Sequence, residues 1–411
     1  VLYLNRHYWT DGKGGAAVQL LFKAAVVAFA GCVAGRLARS ARLSKLVGYL
    51  VVGLLLGPSL LRVISSADLA ALLVVGEVAL AFVSFQIGSE LVVKDLRKMG
   101  KAFSAIALGE VAGAVFAVFA LLYFPLKQDF VLSLILAAAA VGTAPAAALM
   151  IMRQYRARGP VATTLLPVVA LNGVLGVLLF ALALALAKVH LAAQSGVYSW
   201  WQLISQPVWE LGGSLLLGAI LGVVLAFLGK QAGDTDELLI ISLTLIVISA
   251  GAAHFLGLSP LLTNITVGII LANLSRTANR VSLCVGSFLP PVYLLFFALV
   301  GASLNLDGLA GLLLIAAAYI LARAVGKILG TWVGAKAAQA EPAVQKYLGL
   351  TLLPQGGVSL ALIVLVRQQL PQYSTVFTAV IVFSVLLFEL IGPSLAQLAF
   401  AKAEEVGSIL R

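Results

Sequence analysis

Charge is what this sequence has least of: only 10% of its 411 residues are Asp, Glu, Lys or Arg, against about 25% in a soluble globular domain. With 62% hydrophobic residues, a water-soluble enzyme is excluded. Cysteine is scarce, and Cys32 and Cys284 both lie in apolar stretches, so no disulfide framework is expected. Histidine is equally rare. His7, His190 and His254 are far apart and lack ligand spacing, which argues against a metal site. No nucleophile, base and orienting group form a plausible array, so no enzyme activity and no cofactor are expected.

What the chain does have is long apolar runs. Read between charged or turn-rich breaks, they predict helices over 17–37, 44–61, 68–92, 101–125, 129–152, 160–188, 207–229, 236–255, 259–274, 283–304, 309–335, 345–367 and 375–401. A spanning helix needs about 20 apolar residues, so the whole chain reads as one all-α polytopic membrane domain of about 13 crossings. The first residues, with Tyr3, Tyr8 and Trp9 among charges, read as an interfacial lead-in rather than a signal peptide. A net charge of +11 could suggest nucleic-acid binding, but the basic residues follow topology instead. Eighteen of the 27 Lys and Arg fall on one face, including Arg36–Lys45, Lys94–Lys101 and Arg153–Arg158, and six on the other. Basic residues gather in cytoplasmic loops, which places the N-terminus outside and the C-terminus in the cytoplasm.

An internal repeat runs through these segments. Leu43, Ser44, Leu46, Val52 and Gly53 recur as Leu258, Ser259, Leu261, Val267 and Gly268, and Gly88-Ser89-Glu90-Leu91 recurs as Gly301-Ala302-Ser303-Leu304. The repeat spans seven predicted helices, an odd number, so the second copy is inverted in the membrane. Inverted repeats with broken helices at mid-depth are an architecture of secondary transporters. Two breaks stand at matching places: Gly142-Thr143-Ala144-Pro145 and Leu353-Pro354-Gln355-Gly356-Gly357. Proline removes a backbone donor and glycine adds freedom, and the carbonyls and amides so released must face protein or a water-filled cavity.

Ionisable residues inside the apolar runs are the other lead, since each costs about 2.5–3.5 kcal/mol at the bilayer centre on the insertion scale. They are Glu77, Glu110, Arg323, Lys327 and Glu389. Arg323 and Lys327 are four apart and share a helix face. Arg323 is read as a structural partner of Glu110, and Lys327 as functional because a buried lysine readily changes its protonation.

Together, Val47-Gly48-Tyr49 through Gly57-Pro58, Gly88-Ser89-Glu90-Leu91, Thr143-Ala144-Pro145, Arg323 through Gly326-Lys327, and Leu353-Pro354-Gln355-Gly356-Gly357-Val358 resemble the monovalent cation/proton antiporter superfamily. The likeness is to its Kef-type and bacterial sodium/proton exchanger branch, and it covers nearly the whole chain. The resemblance implies a homodimer in a bacterial inner membrane. It also implies scaffold helices over 17–92 and 236–304, a moving core over 101–188 and 309–401, and a linker helix over 207–229. It places the ion site at Thr143, Ala144, Pro145, Asn172, Gly173, Lys327, Gln355 and Gly356. Where the family carries an obligatory aspartate, this chain has Gly173.

Three functions follow from that substitution. The first is exchange of Na+ or K+ for a proton with a relocated proton carrier, Glu77 being the first candidate, then Glu110 or Glu389, with Lys327 also able to titrate. A second is transport of an anionic solute bound near Lys327, Asn172, Thr143 and Gln355. The third is a transport-inactive membrane subunit or sensor.

Overall fold

The computed structural model describes residues 12–41, 43–92, 94, 100–143, 152, 157–195, 200–304 and 309–406. Ala144 and Pro145, at the first expected break, lie outside them. Among the described residues there are fifteen α-helices and no strand. They are α1 Gly12–Ser40, α2 Lys45–Leu56, α3 Ser66–Ala71, α4 Leu73–Ser89, α5 Lys101–Tyr123, α6 Phe130–Ala139, α7 Pro160–Ser195 and α8 Trp200–Gln231. After them come α9 Thr235–Phe255, α10 Pro260–Leu274, α11 Ala278–Ala302, α12 Leu309–Ala337, α13 Pro342–Thr351, α14 Gly357–Gln369 and α15 Ser374–Lys402.

Eight of these carry stretches long and apolar enough to span a membrane, and five shorter apolar helices accompany them. Their large apolar side chains point outward in quantity, Phe29 and Phe116 each being 75% exposed. In water such surfaces would aggregate. In a bilayer they face lipid, and the chain is an integral membrane protein.

Two breaks differ in character. The predicted segment 68–92 is interrupted at Leu72, the C-cap of the short α3, whose start is closed by a capping box between Ser65 and Asp68. The segment 345–367 is interrupted where Leu353-Pro354-Gln355-Gly356 separates α13 from α14, as the proline and glycines imply.

The chain divides into two compact units. The first comprises residues 1–76 and 290–309. Its core gathers Val27, Ile64, Leu69, Ala298 and Ala302, and Lys23 pairs with Asp68 at 2.6 Å. Here Gly53 of α2 lies against the Ala298 carbonyl, and Gly301 of α11 against the Leu50 carbonyl.

The second unit comprises residues 77–289 and 310–411. In it, Gly268 of α10 lies against the Phe85 carbonyl, and Gly88 of α4 against the Ile265 carbonyl. These are the same four positions moved along by one repeat: Gly53 becomes Gly268, Leu50 becomes Ile265, Gly88 becomes Gly301 and Phe85 becomes Ala298. In all four places no Cβ would fit. The repeat seen as letters is therefore a repeat of backbone contacts.

In the second unit the start of α7 is held by a residue from beyond α15. Glu405, 5% exposed, accepts hydrogen bonds from the Val161 and Ala162 amides at 2.7 and 2.9 Å, and its carbonyl accepts from Arg158. A carboxylate at a helix N-terminus satisfies unpaired amides and meets the positive end of the dipole. Gly159, at φ +155°, leaves room for that side chain where any Cβ would collide with it. Replacing Glu405→Ala is expected to cost about 2–3 kcal/mol, the worth of hydrogen bonds to a charged group. A thermal melt of the detergent-solubilised protein measures it, and an unchanged melting temperature would refute the cap.

Candidate functional site

The site is built where α5 and α12 cross. Gly109 and Gly113 of α5 face Gly326, Gly330 and Gly334 of α12, backbone against backbone. A Cβ on Gly109 would come within 2.7 Å of the Gly330 carbonyl, and one on Gly113 within 2.6 Å of Gly330 Cα. Small residues four apart allow membrane helices this close approach. The residue after Gly109 is Glu110 and the residue after Gly326 is Lys327, so the crossing presses the two side chains together.

Glu110 and Lys327 are both fully buried and form an ion pair through Oε1 and Nζ. They are separated by 217 residues, as are Gly109 and Gly326, and Gly113 and Gly330. Glu110 and Lys327 thus occupy equivalent positions of the two repeats, with opposite charge. Lys327 uses its other two donors on the Val141 carbonyl at 3.0 Å and Thr143 Oγ1 at 2.8 Å. All three N–H groups of the ammonium are engaged.

Arg323, one turn earlier on α12, does different work. Its Nε, Nη1 and Nη2 donate to the carbonyls of Ala140, Leu353 and Gly142 at 3.0, 2.8 and 2.7 Å. Ala140 and Gly142 follow the end of α6, and Leu353 follows the end of α13. Helix C-termini leave their last carbonyls unpaired and carry partial negative charge. Arg323 and Lys327 satisfy both, and the guanidinium stacks 4.6 Å from the Phe388 ring centroid. The two breaks meet here, Thr143 Oγ1 being 3.5 Å from the Leu352 carbonyl.

This geometry revises the expected pairing. Glu110 goes to Lys327 rather than to Arg323, because a three-donor ammonium fits one carboxylate and two oxygens while a planar five-donor fork fits a row of carbonyls. Glu77, the first carboxylate candidate, is exposed on α4 and accepts from Gln368 Nε2 at 2.8 Å. Glu389 is buried on α15 beside Phe388, and neither Arg323 nor Lys327 forms an ion pair with it among the described residues.

Gln355, expected in the ion site, is buried, and its hydrogen bonds are spent on Tyr319, Ser359 and Ser384 at 3.3, 2.9 and 2.6 Å. It pins the second break at the start of α14, where Gly356 is the N-cap. The sequence reading missed Tyr319, Ser359 and Ser384. It also missed the matched Gly-Glu and Gly-Lys pairs, although their shared separation is visible in the letters.

Asn172, on α7, is fully buried, and its carboxamide lies beside Glu110. The amide is close enough to interact with the Glu110 carboxylate, although no hydrogen bond of good geometry forms to either of its polar atoms or to Glu110 Oε2. Gly173 is buried, yet an added Cβ would meet only Ile87, at 3.9 Å. The glycine is therefore not forced by packing. Gly173→Ala is expected to raise stability by about 0.5–1 kcal/mol through helix propensity and to leave transport unchanged. A melt and a flux assay on one preparation test this, and a loss of either would show a hidden constraint at the position.

Comparison with known proteins sets this site in context. The family model for "Sodium/hydrogen exchanger, transmembrane" matches residues 24–401. The ammonium/H+ antiporter subunit AmhT of Alkalihalophilus pseudofirmus is 26% identical over 364 residues, covering 87% of this chain and 88% of its own. A structure of the sodium proton antiporter MjNhaP1 from Methanocaldococcus jannaschii superposes with a TM-score of 0.75, covering 94% of this chain and 99% of that one at 17% identity. An electron-microscopy map structure of the same antiporter gives 0.67 at 16% identity, covering 93% and 97% of the two chains. At those identities the structural likeness speaks for the fold.

Proposed function

The chain belongs to the sodium/hydrogen exchanger family, and on that premise we propose that it exchanges a monovalent cation for a proton by alternating access, with Glu110 as the titrating carboxylate. One observation carries this reading. Glu110 is a carboxylate wholly inside the fold, at the glycine crossing of the two repeats, and its partner Lys327 reaches the first break through Val141 and Thr143. Ionisable groups in the bilayer interior mark ion pathways and proton relays. An exchange site must hold either a proton or a cation, and the neutral pair Asn172-Gly173 can do neither by titration. Glu110 takes over that task, and Lys327 balances its charge while the site is empty of cation.

A residue common to both repeats also suits the motion. When the core helices over 101–188 and 309–401 rock against the scaffold, a group at the crossing of α5 and α12 faces each side in turn. The anionic-solute alternative loses its donor, since all three N–H groups of Lys327 are already taken.

The named relative widens the set of cations to be compared, so ammonium joins sodium and potassium. The test is reconstitution into vesicles with an internal pH dye. Adding the transported cation outside should raise internal pH relative to protein-free vesicles, as protons leave in exchange. No cation-dependent change with any of the three would overturn the proposal.

A further inference from the structure

Two charged side chains stand at the wrong ends of their helices. Glu90 follows the last residue of α4, and Arg158 stands just before α7, although a helix C-terminus favours a cation and a helix N-terminus an anion. Neither charge is compensated. Among the described residues the side chains of Glu90 and Arg158 form no ion pair and no hydrogen bond, with each other or with anything else, and no charged group acts on Glu90 from nearby. Nor does the fold ask for an acid at this place. In the second copy of the repeat the equivalent residue is the neutral Ser303, whose hydroxyl turns back to the Val300 carbonyl at 2.8 Å.

Both residues line one cavity, which lies wholly within the second unit. Its volume is about 720 Å³, inside the range of roughly 300–1,000 Å³ in which small-molecule pockets fall. The wall along the first turns of α7 is apolar, with Ala162, Leu166 and Pro167 on one side and Met152 beside them. Its third polar side chain, Thr163, spends its hydroxyl on the Gly159 and Pro160 carbonyls. The two charges are therefore the only free side-chain groups the cavity offers a guest.

We propose that this cavity binds the headgroup of an aminophospholipid of the phosphatidylethanolamine class, with the ammonium on Glu90, the phosphate on Arg158 and the start of an acyl chain along the apolar wall. A simple cation would leave Arg158 unpaired and a simple anion would leave Glu90 so. A zwitterion compensates both and brings no net charge into the membrane. The carbonyls at the end of α4 reinforce the preference for an ammonium. At the start of α7, Glu405 already holds the Val161 and Ala162 amides, so the phosphate is left to the Arg158 guanidinium, whose fork fits two of its oxygens. Arg158 also closes one of the basic runs that the charge distribution assigns to the cytoplasmic face, the level at which headgroups lie.

The test reads stability, so it is independent of cation exchange. The full chain, purified in detergent, is melted with dioleoyl lipids of three headgroups added to the micelles. Phosphatidylethanolamine is expected to raise the melting temperature by roughly 3 °C or more, and phosphatidylcholine and phosphatidylglycerol by clearly less, since the first has no N–H for Glu90 and the second no ammonium. Glu90→Gln should erase the preference for phosphatidylethanolamine, and Arg158→Gln should weaken stabilisation by every phosphate-bearing lipid. Neither side chain has a partner to lose, so both variants are expected to fold. Glu90→Lys gives a gain in the opposite sense, moving the preference to phosphatidylglycerol. Equal shifts from all three lipids in the unaltered chain, or a preference that survives in Glu90→Gln, would overturn the proposal. Glycerophosphoethanolamine, the headgroup without its chains, should give no shift at the same concentration; a shift as large as the lipid's would overturn the lipid and leave the cavity to a water-soluble zwitterion. A chain that shows the lipid preference but no cation-driven pH change would overturn the antiport reading alone.

Discussion

Glu110→Gln should reduce cation-driven proton movement by about 100-fold or more, the scale on which a proton-transferring side chain contributes. The glutamine keeps the size of the side chain and can still accept from Lys327, so the crossing of α5 and α12 stays in place. What disappears is the ability to exist in two protonation states, and with it the exchange of a proton for a cation. Stability is expected to suffer too, because removing one partner of a buried ion pair costs about 3–5 kcal/mol. Loss of folding must therefore be separated from loss of chemistry. The double variant Glu110→Met with Lys327→Met removes both charges together, and replacing a buried pair by apolar side chains is often neutral or stabilising, by about 1–4 kcal/mol. That variant should melt above Glu110→Gln but below the wild type, because the Val141 carbonyl and the Thr143 hydroxyl lose the Lys327 donor, and it should remain silent in the dye assay. Wild-type flux in Glu110→Gln would refute the assignment of the proton carrier at once.

Much of the helical layout can be read from the letters, because a membrane helix announces itself by an apolar run of fixed length. The break after α13 is legible for the same kind of reason: Pro354 lacks an amide and Gly356-Gly357 lack side chains. The predicted segment 160–188 stops short of the observed end of α7 at Ser195. Lys188 looks like the end of an apolar run, but it is paired with Glu210 of α8 at 2.8 Å, so the helix continues past it. The inverted repeat is legible because glycines are needed wherever two backbones touch, and the same glycines are needed in both copies.

The choice among carboxylates is not legible in that way. Glu77 and Glu110 both interrupt apolar runs, and hydropathy assigns them the same cost. Only the crossing of α5 and α12 decides that Glu110 turns inward while Glu77 stays at an exposed rim. The four-residue spacing of Arg323 and Lys327 tells which face they share, not which partner each selects. That selection follows from donor geometry against the carbonyls of two helix ends, which come together only in the folded chain.

Arg323 carries the second large prediction. Its three hydrogen bonds reach carbonyls on two separate chain breaks, and no other side chain among the described residues donates to Ala140, Gly142 or Leu353. In Arg323→Ala all three carbonyls lose their donor in an interior without water to replace it. Each such loss costs about 1–3 kcal/mol, and the stacking on Phe388 is lost besides, so a total of about 4 kcal/mol or more is expected. Glu110 would then face Lys327 alone across two loosened breaks. Arg323→Lys separates charge from shape: it keeps the positive charge, but a lysine ammonium cannot span three carbonyls as the planar fork does. The lysine variant should therefore melt between the wild type and the alanine variant in a thermal unfolding series. If lysine restored full stability, neutralising the helix ends would be enough and the geometric argument would fail. If alanine melted like the wild type, the two breaks would not depend on Arg323 at all, and the arrangement that brings Thr143, Val141 and Lys327 together would need another cause.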